Sequence, residues 1–155
     1  MRVIAIDDHP LVLTALGQIL GDLPAVQLVG CASTIIGLRD LLARHAADVL
    51  IADYSLPRED AADGLTLVKW IQRQYPHMKI VVFTMQDNAA IIRVIIENGV
   101  AAVVSKRDPL THIAIALERV DGGLAYQSPT ILTLLNESWH TVRGTALSDK
   151  ELEVL

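Results

Sequence analysis

The chain has one cysteine, Cys31, so an internal disulfide is excluded. Cys31 lies in the apolar stretch VQLVGCA (26–32), where a buried structural thiol is expected. Basic excess is also missing: 13 Lys and Arg stand against 18 Asp and Glu, for a net charge of −5. A surface that holds nucleic-acid phosphates is ordinarily basic, so these residues are not expected to bind DNA themselves. No apolar run approaches the roughly 20 residues that a membrane span needs, and no secretory pattern precedes the first apolar run. A cytoplasmic protein without membrane contact is expected. The five histidines, at 9, 45, 77, 112 and 140, show no metal-ligand spacing. His45 is expected to end a helix and the others to lie on the surface.

What is present is a chain of 155 residues, enough for one domain and an appendage, with 52% apolar residues for a core. Short β-branched runs alternate five times with amphipathic stretches. The runs are RVIAIDD (2–8), VQLVGCA (26–32), DVLIADYSL (48–56), KIVVFTM (79–85) and AAVVSK (101–106). Each is nearly continuous rather than alternating, the pattern of a parallel strand covered on both faces.

Helices are expected over 10–20, opened by Pro10 at its first position; from Ser33 or Thr34 to about His45; over 64–75, stopped before Pro76; from Asn88 to Asn98-Gly99, a left-handed C-cap; and over 109–120, stopped by Gly122-Gly123. Trp70 is expected to pack on its helix. The alternation predicts an α/β doubly wound, five-stranded parallel sheet with helices on both faces. The flavodoxin-like order 2-1-3-4-5 opens a crevice between strands 1 and 3.

After Gly123 the pattern changes. Ser128-Pro129 reads as an N-cap and first-turn proline opening a short helix, and 139–147 are polar and irregular. Ser148 and Glu151 form a capping box that begins another helix. The expected organisation is a globular domain over 1–122, a linker with a short helix over 123–147, and the start of a further domain over 148–155.

Strand 1 ends in Asp7-Asp8, strand 3 in Asp53, strand 4 in Thr84 and strand 5 in Lys106. The predicted order gathers them at one sheet edge. Singly, the acidic pair reads as a helix cap, the threonine as structural and the lysine as a solvated charge; together they read as a site. Three carboxylates in one crevice repel one another, and a divalent cation relieves this. All-oxygen ligation suits Mg²⁺. Asp53 could then attack a phosphoryl donor in line, with Lys106 offsetting the charge and the Thr84 hydroxyl donating to a phosphate oxygen.

These residues, with IDDHP, Asp53-x-x-Leu56-Pro57 and Asp63-Gly64, resemble the response-regulator receiver family over positions 2 to about 121. The resemblance implies that Asp7 and Asp8 are a metal-binding pair and that the Ser55 backbone carbonyl is a third ligand beside Asp53. It implies that Asp53 is the phosphoacceptor, Thr84 the switch hydroxyl and Lys106 the phosphate-binding cation. The opening DDHP and the terminal LSDKELEVL are similar to the NarL/FixJ subfamily, whose second domain is a LuxR-type helix-turn-helix. The implied protein is a two-component transcription regulator. Its partners would be a histidine kinase or His-containing phosphotransfer protein, a second copy or another regulator in a dimer, and DNA through the C-terminal domain.

Some features depart from the family pattern. Three residues separate this chain from most receivers between Pro57 and Asp63-Gly64, as an insertion. Val103 stands where Tyr or Phe is usual, so no ring can swing in beside Thr84. Arg107 replaces the proline that often follows the lysine. Met85 is expected to pack, and Ser55 and Gln86 stand where an attacking water would pass. The apolar residues Ile91, Ile92, Val94, Ile95 and Ile96 read equally as core or as partner surface. Two other functions remain open: a phosphohydrolase with Asp53 as nucleophile, disfavoured because position 55 is Ser rather than a second carboxylate, and a phosphorylation-independent interaction module.

Overall fold

The computed structural model describes residues 1–54 and 64–138. The strands are β1 (Arg2–Ile6), β2 (Gln27–Ala32), β3 (Val49–Ala52), β4 (Lys79–Thr84), β5 (Ala102–Ser105) and β6 (Tyr126–Gln127). The helices are α1 (Pro10–Gly21), α2 (Ile35–Arg44), α3 (Gly64–Gln74), α4 (Ala89–Glu97) and α5 (Thr111–Asp121), followed by α6 over 129–138. All strand pairs are parallel, in the order β2-β1-β3-β4-β5-β6.

The expected five strands are therefore six. β6 escapes a periodicity reading because it is two residues long and half polar. It exists because the chain passes beside β5, pairing Ala102 with Tyr126 and Val103 with Gln127, before α6 begins.

Near-continuous apolar strands follow from cover on both faces. Alternate residues separate cleanly. Ile4, Ile6, Leu50, Ala52, Ile80, Val82 and Val103 pack with Leu38 of α2, Ile71 of α3, Ile92 and Ile95 of α4, and Ile131 of α6. Val3, Ala5, Val49, Ile51, Val81, Phe83 and Val104 pack with Leu16 and Leu20 of α1 and Ile113 and Leu117 of α5.

Local signals act where expected. The Thr34 hydroxyl accepts the Gly37 N–H at 3.0 Å, and Asn88 accepts the Ala90 N–H at 2.9 Å, each closing a helix N-terminus. Gly99, at φ 85°, takes the left-handed conformation after α4. Trp70 packs on the core, with the Arg39 guanidinium 4.9 Å from its ring centre.

Two expectations fail. Cys31 is exposed, because β2 is the edge strand among the described residues and its outer side has no neighbouring strand there. Its partial cover still pushes the thiol pKa up. Met85 does not pack: it is 51% exposed, one residue past the end of β4. The isoleucine-rich α4 is mostly core, with Ile92 and Ile95 buried and Ile91 and Ile96 packed against them; Val94 is 40% exposed.

No helix among the described residues is long and apolar enough to cross a membrane. Ser55, the inserted loop to Asp63 and the capping box of Ser148 and Glu151 lie outside the described residues.

Candidate functional site

Each candidate side chain stands just past, or at, the C-terminal end of a parallel strand. The register sets Ile6 beside Ala52, Ala52 beside Val82, and Thr84 beside Ser105. Ladder hydrogen bonds continue one residue further: the Asp53 N–H donates to the Ile6 carbonyl at 3.1 Å, and the Lys106 N–H to the Thr84 carbonyl at 2.8 Å. The four strand ends thus deliver Asp7, Asp8, Asp53, Thr84 and Lys106 to one edge of the sheet.

Asp7 and Asp53 are nearly sealed from solvent, at 2% and 3% exposure. The Lys106 ammonium reaches down between them, 2.6 Å from Asp7 Oδ2 and 3.2 Å from Asp53 Oδ2. One ammonium does not balance three carboxylates. One ligand atom each from Asp7, Asp8, His9 and Asp53 lies within 4.8 Å of all the others.

Asp8 Oδ1 is buried and accepts no hydrogen bond among the described residues. His9 Nδ1 lies 2.9 Å from it, but the ring's hydrogen-bonding direction serves Asp7 Oδ1, also at 2.9 Å. A buried carboxylate oxygen left without a donor, beside two further carboxylates, fits a hard divalent cation with oxygen ligands. Asp7, Asp8 and Asp53 are the residues that could hold it.

Thr84 is fully buried, and its hydroxyl accepts the Gln86 N–H at 3.0 Å, which fixes the turn after β4. It stands at the same edge but takes no part in the ionic cluster. Val103 is fully buried opposite Val82. A cavity of about 310 Å³ lined by His45, Tyr75, His77 and Met78 lies at the opposite end of the sheet, where β3 and β4 begin, and has no carboxylate in its wall.

The sequence reading missed two features. His9 shows no ligand spacing in the sequence, yet it stands beside both carboxylates and hydrogen-bonds Asp7; its position directly after Asp7-Asp8 is the available signal. His112, expected on the surface, is half-buried with its Nδ1 2.6 Å from the Tyr126 hydroxyl. That pairing depends on β6, so no local signal could have found it.

The model of the response regulator receiver domain matches residues 3–118. The transcriptional regulatory protein RcsB of Escherichia coli K12 is 34% identical over 156 residues, covering all of this chain and 72% of that protein. The oxygen regulatory protein NreC of Staphylococcus carnosus is 28% identical over 165 residues, covering all of this chain and 75% of NreC. Among solved structures, the isolated receiver domain of RcsB from Salmonella enterica serovar Typhimurium, with the phosphomimetic BeF3⁻, superposes with a TM-score of 0.82 at 33% identity. That match covers 87% of this chain and 98% of the other. An RcsB–DNA complex gives a TM-score of 0.83, covering 88% of this chain and 67% of the other. The sheet, its acidic edge and these matches agree: the chain belongs to the response regulator receiver family, and within it resembles NarL/FixJ-type regulators such as RcsB.

Proposed function

We propose that Asp53 accepts a phosphoryl group from a histidine kinase or His-containing phosphotransfer protein, and that this modification switches a DNA-binding transcription regulator. The observation that carries the reading is the buried pairing of Asp53 and Lys106 beside Asp7 and an Asp8 oxygen without a donor. An Asp53 oxygen attacks the phosphorus, the bond from phosphorus to the donor's nitrogen breaks, and the electron pair leaves with the imidazole. Lys106 releases Asp7 and turns to a phosphoryl oxygen. Thr84, at the end of the adjacent strand, exchanges its bond to the Gln86 N–H for donation to another. Asp7, Asp8, Asp53 and the Ser55 carbonyl would hold Mg²⁺, which would supply positive charge to offset that on the transferring group.

The chain's own contribution is positioning and charge, so transfer is stoichiometric, with slow self-phosphorylation from small donors and slow self-dephosphorylation. Ser at position 55 supplies no acid/base carboxylate for turnover. The receiver spans 1–122, a linker with α6 follows over 123–147, and a LuxR-type DNA-binding domain begins at 148. DNA is bound by that domain rather than by the acidic receiver, in a homodimer or in a heterodimer with another regulator, in the cytoplasm. The solved relatives support the assembly: one is described as two RcsB dimers bound to two parallel DNAs.

A second reading, an interaction module that works without phosphate, is favoured by Val103, which removes the aromatic ring that usually reports phosphorylation. Incubation with acetyl phosphate and Mg²⁺, followed by intact mass, separates the two. One added phosphoryl group, absent from Asp53→Asn and prevented by chelator, supports the phosphoacceptor. No gain in the parent chain supports the module.

A further inference from the structure

The hydrogen bonds around Ser128 were not anticipated from sequence. Ser128 is fully buried, although it is polar and sits between β6 and α6. Its N–H donates to the Val103 carbonyl at 3.1 Å, and its hydroxyl oxygen accepts the Ser105 N–H at 2.9 Å. The same hydroxyl is close enough to the Asp108 carboxylate to help lower its pKa. Asp108 also accepts the Thr130 N–H at 3.1 Å and the Thr130 hydroxyl at 2.6 Å. Below this cluster Ile131 is fully buried in the core that contains Val103 and the α4 residues Ile92 and Ile95.

Two ends of one short turn are therefore tied to different things. Lys106 reaches into the acidic site, while Asp108, two residues later, caps the first turn of α6. Ser105 joins both, since its N–H is held by Ser128 and its hydroxyl accepts the Arg107 N–H at 3.1 Å. Burial pushes the Asp108 carboxyl up, but the bonds from Ser128 and Thr130 and the nearby His112 outweigh it and hold the group below its ordinary value. The clamp therefore grips a charged carboxylate, whose hydrogen bonds are the stronger kind.

We infer that the Ser128–Asp108–Thr130 clamp is the device by which the phosphoryl site governs α6 and the segment beyond it, the turn 105–108 acting as the lever. The inference rests on Asp53 being the phosphoacceptor. In the unmodified protein Lys106 is drawn inward to Asp7 at 2.6 Å. A phosphoryl group stands further out than the carboxylate that carries it, so Lys106 moves outward to meet it and carries the turn along. Ser105 and Asp108 then shift away from Ser128 and Thr130, and the first turn of α6 loosens. No aromatic side chain is needed, which accounts for a working switch with Val103 in the core.

Linkage fixes what else must follow. If the phosphorylated state loosens the clamp, loosening the clamp must favour the phosphorylated state by the same factor. The test uses the full chain, beryllofluoride with Mg²⁺ as the phosphoryl mimic, and amide hydrogen exchange. In the parent protein, exchange over 129–135 is expected to quicken by about fivefold or more, the lower end of ordinary coupling between sites. Thr130→Val keeps the β-branched shape and removes one donor; it should exchange quickly over 129–135 before beryllofluoride is added. It should also bind beryllofluoride more tightly by a matching factor. Asp108→Asn, which keeps the side chain's size, should act in the same direction. Beryllofluoride binding with no change over 129–135 in the parent overturns the clamp while leaving Asp53 as acceptor. Unchanged beryllofluoride affinity in both variants overturns it as well. No beryllofluoride binding by any of the proteins removes the phosphoacceptor reading and the clamp together.

Discussion

Replacing Asp53 with asparagine should stabilise the metal-free protein, although it alters a buried ion pair. Asp53 faces the Asp7 and Asp8 carboxylates with ligand atoms within 4.8 Å. At an effective dielectric of ~20, each repulsion comes to about 3.5 kcal/mol or more, while the Lys106 ammonium returns about 5 kcal/mol from its 3.2 Å approach. The Asp8 side chain is 31% exposed, so solvent weakens its share. The net repulsion that Asn relieves is about 1–2 kcal/mol, and the lower cost of burying an amide adds to it. Lys106 is not abandoned, because Asp7 holds it more closely and the Asn carbonyl can still accept from it. The assay is urea unfolding followed by circular dichroism, with chelator and then with saturating Mg²⁺. A higher midpoint at unchanged slope is expected for Asp53→Asn in chelator. Bound Mg²⁺ should reverse the order, since a ligand at a hundred times its Kd adds about 2.7 kcal/mol and the wild-type site has the extra carboxylate to hold it. A variant less stable in chelator, or an advantage indifferent to Mg²⁺, would refute the charge argument.

Lys106→Met leaves the Asp7 and Asp53 carboxylates without their buried cation, and should lower metal-free stability by about 3–5 kcal/mol. Thermal unfolding with and without Mg²⁺ checks this, with partial recovery expected in Mg²⁺. Gly64→Ala should cost about 1–3 kcal/mol by overpacking, because a Cβ there would overlap the ring and carbonyl of Tyr54. Since Tyr54 adjoins Asp53, phosphoryl uptake should slow in the same variant, as read by intact mass over time. The Asp108 pKa is lowered from 3.8 in the folded chain, so its stabilising contribution is present above that value and lost as pH falls through the folded one. Unfolding midpoints of wild type and Asp108→Asn should therefore differ most above pH 3.8 and converge below it. A gap that widens on acidification would contradict the bonds assigned to that carboxylate.

Five strand segments, a cap at Ser33 or Thr34 and the left-handed C-cap at Gly99 were legible because each is written in a few adjacent residues. The acidic edge was legible for a related reason. In a parallel sheet every strand points the same way, so residues just past each apolar run must share one edge. Burial was misjudged where it depends on neighbours in space. Cys31 sits in as apolar a run as any other, but only the strand order reveals that β2 is an edge. Met85 follows β4, and no element among the described residues covers it.

The sequence by itself determined the strand directions, which residues gather at the C-terminal sheet edge and the excess of negative charge among them, since these follow from chain periodicity and residue type. Tertiary structure alone decided which carboxylate Lys106 prefers, that Asp8 keeps an oxygen without a donor, and that His9 serves Asp7. It alone joined Ser105, Asp108, Ser128 and Thr130 across 22 or 23 positions of chain. Hydrogen bonds and ion pairs act over about 3 Å and depend on direction. Sequence spacing brings residues to the same edge, but only packing sets the last ångströms on which those interactions depend.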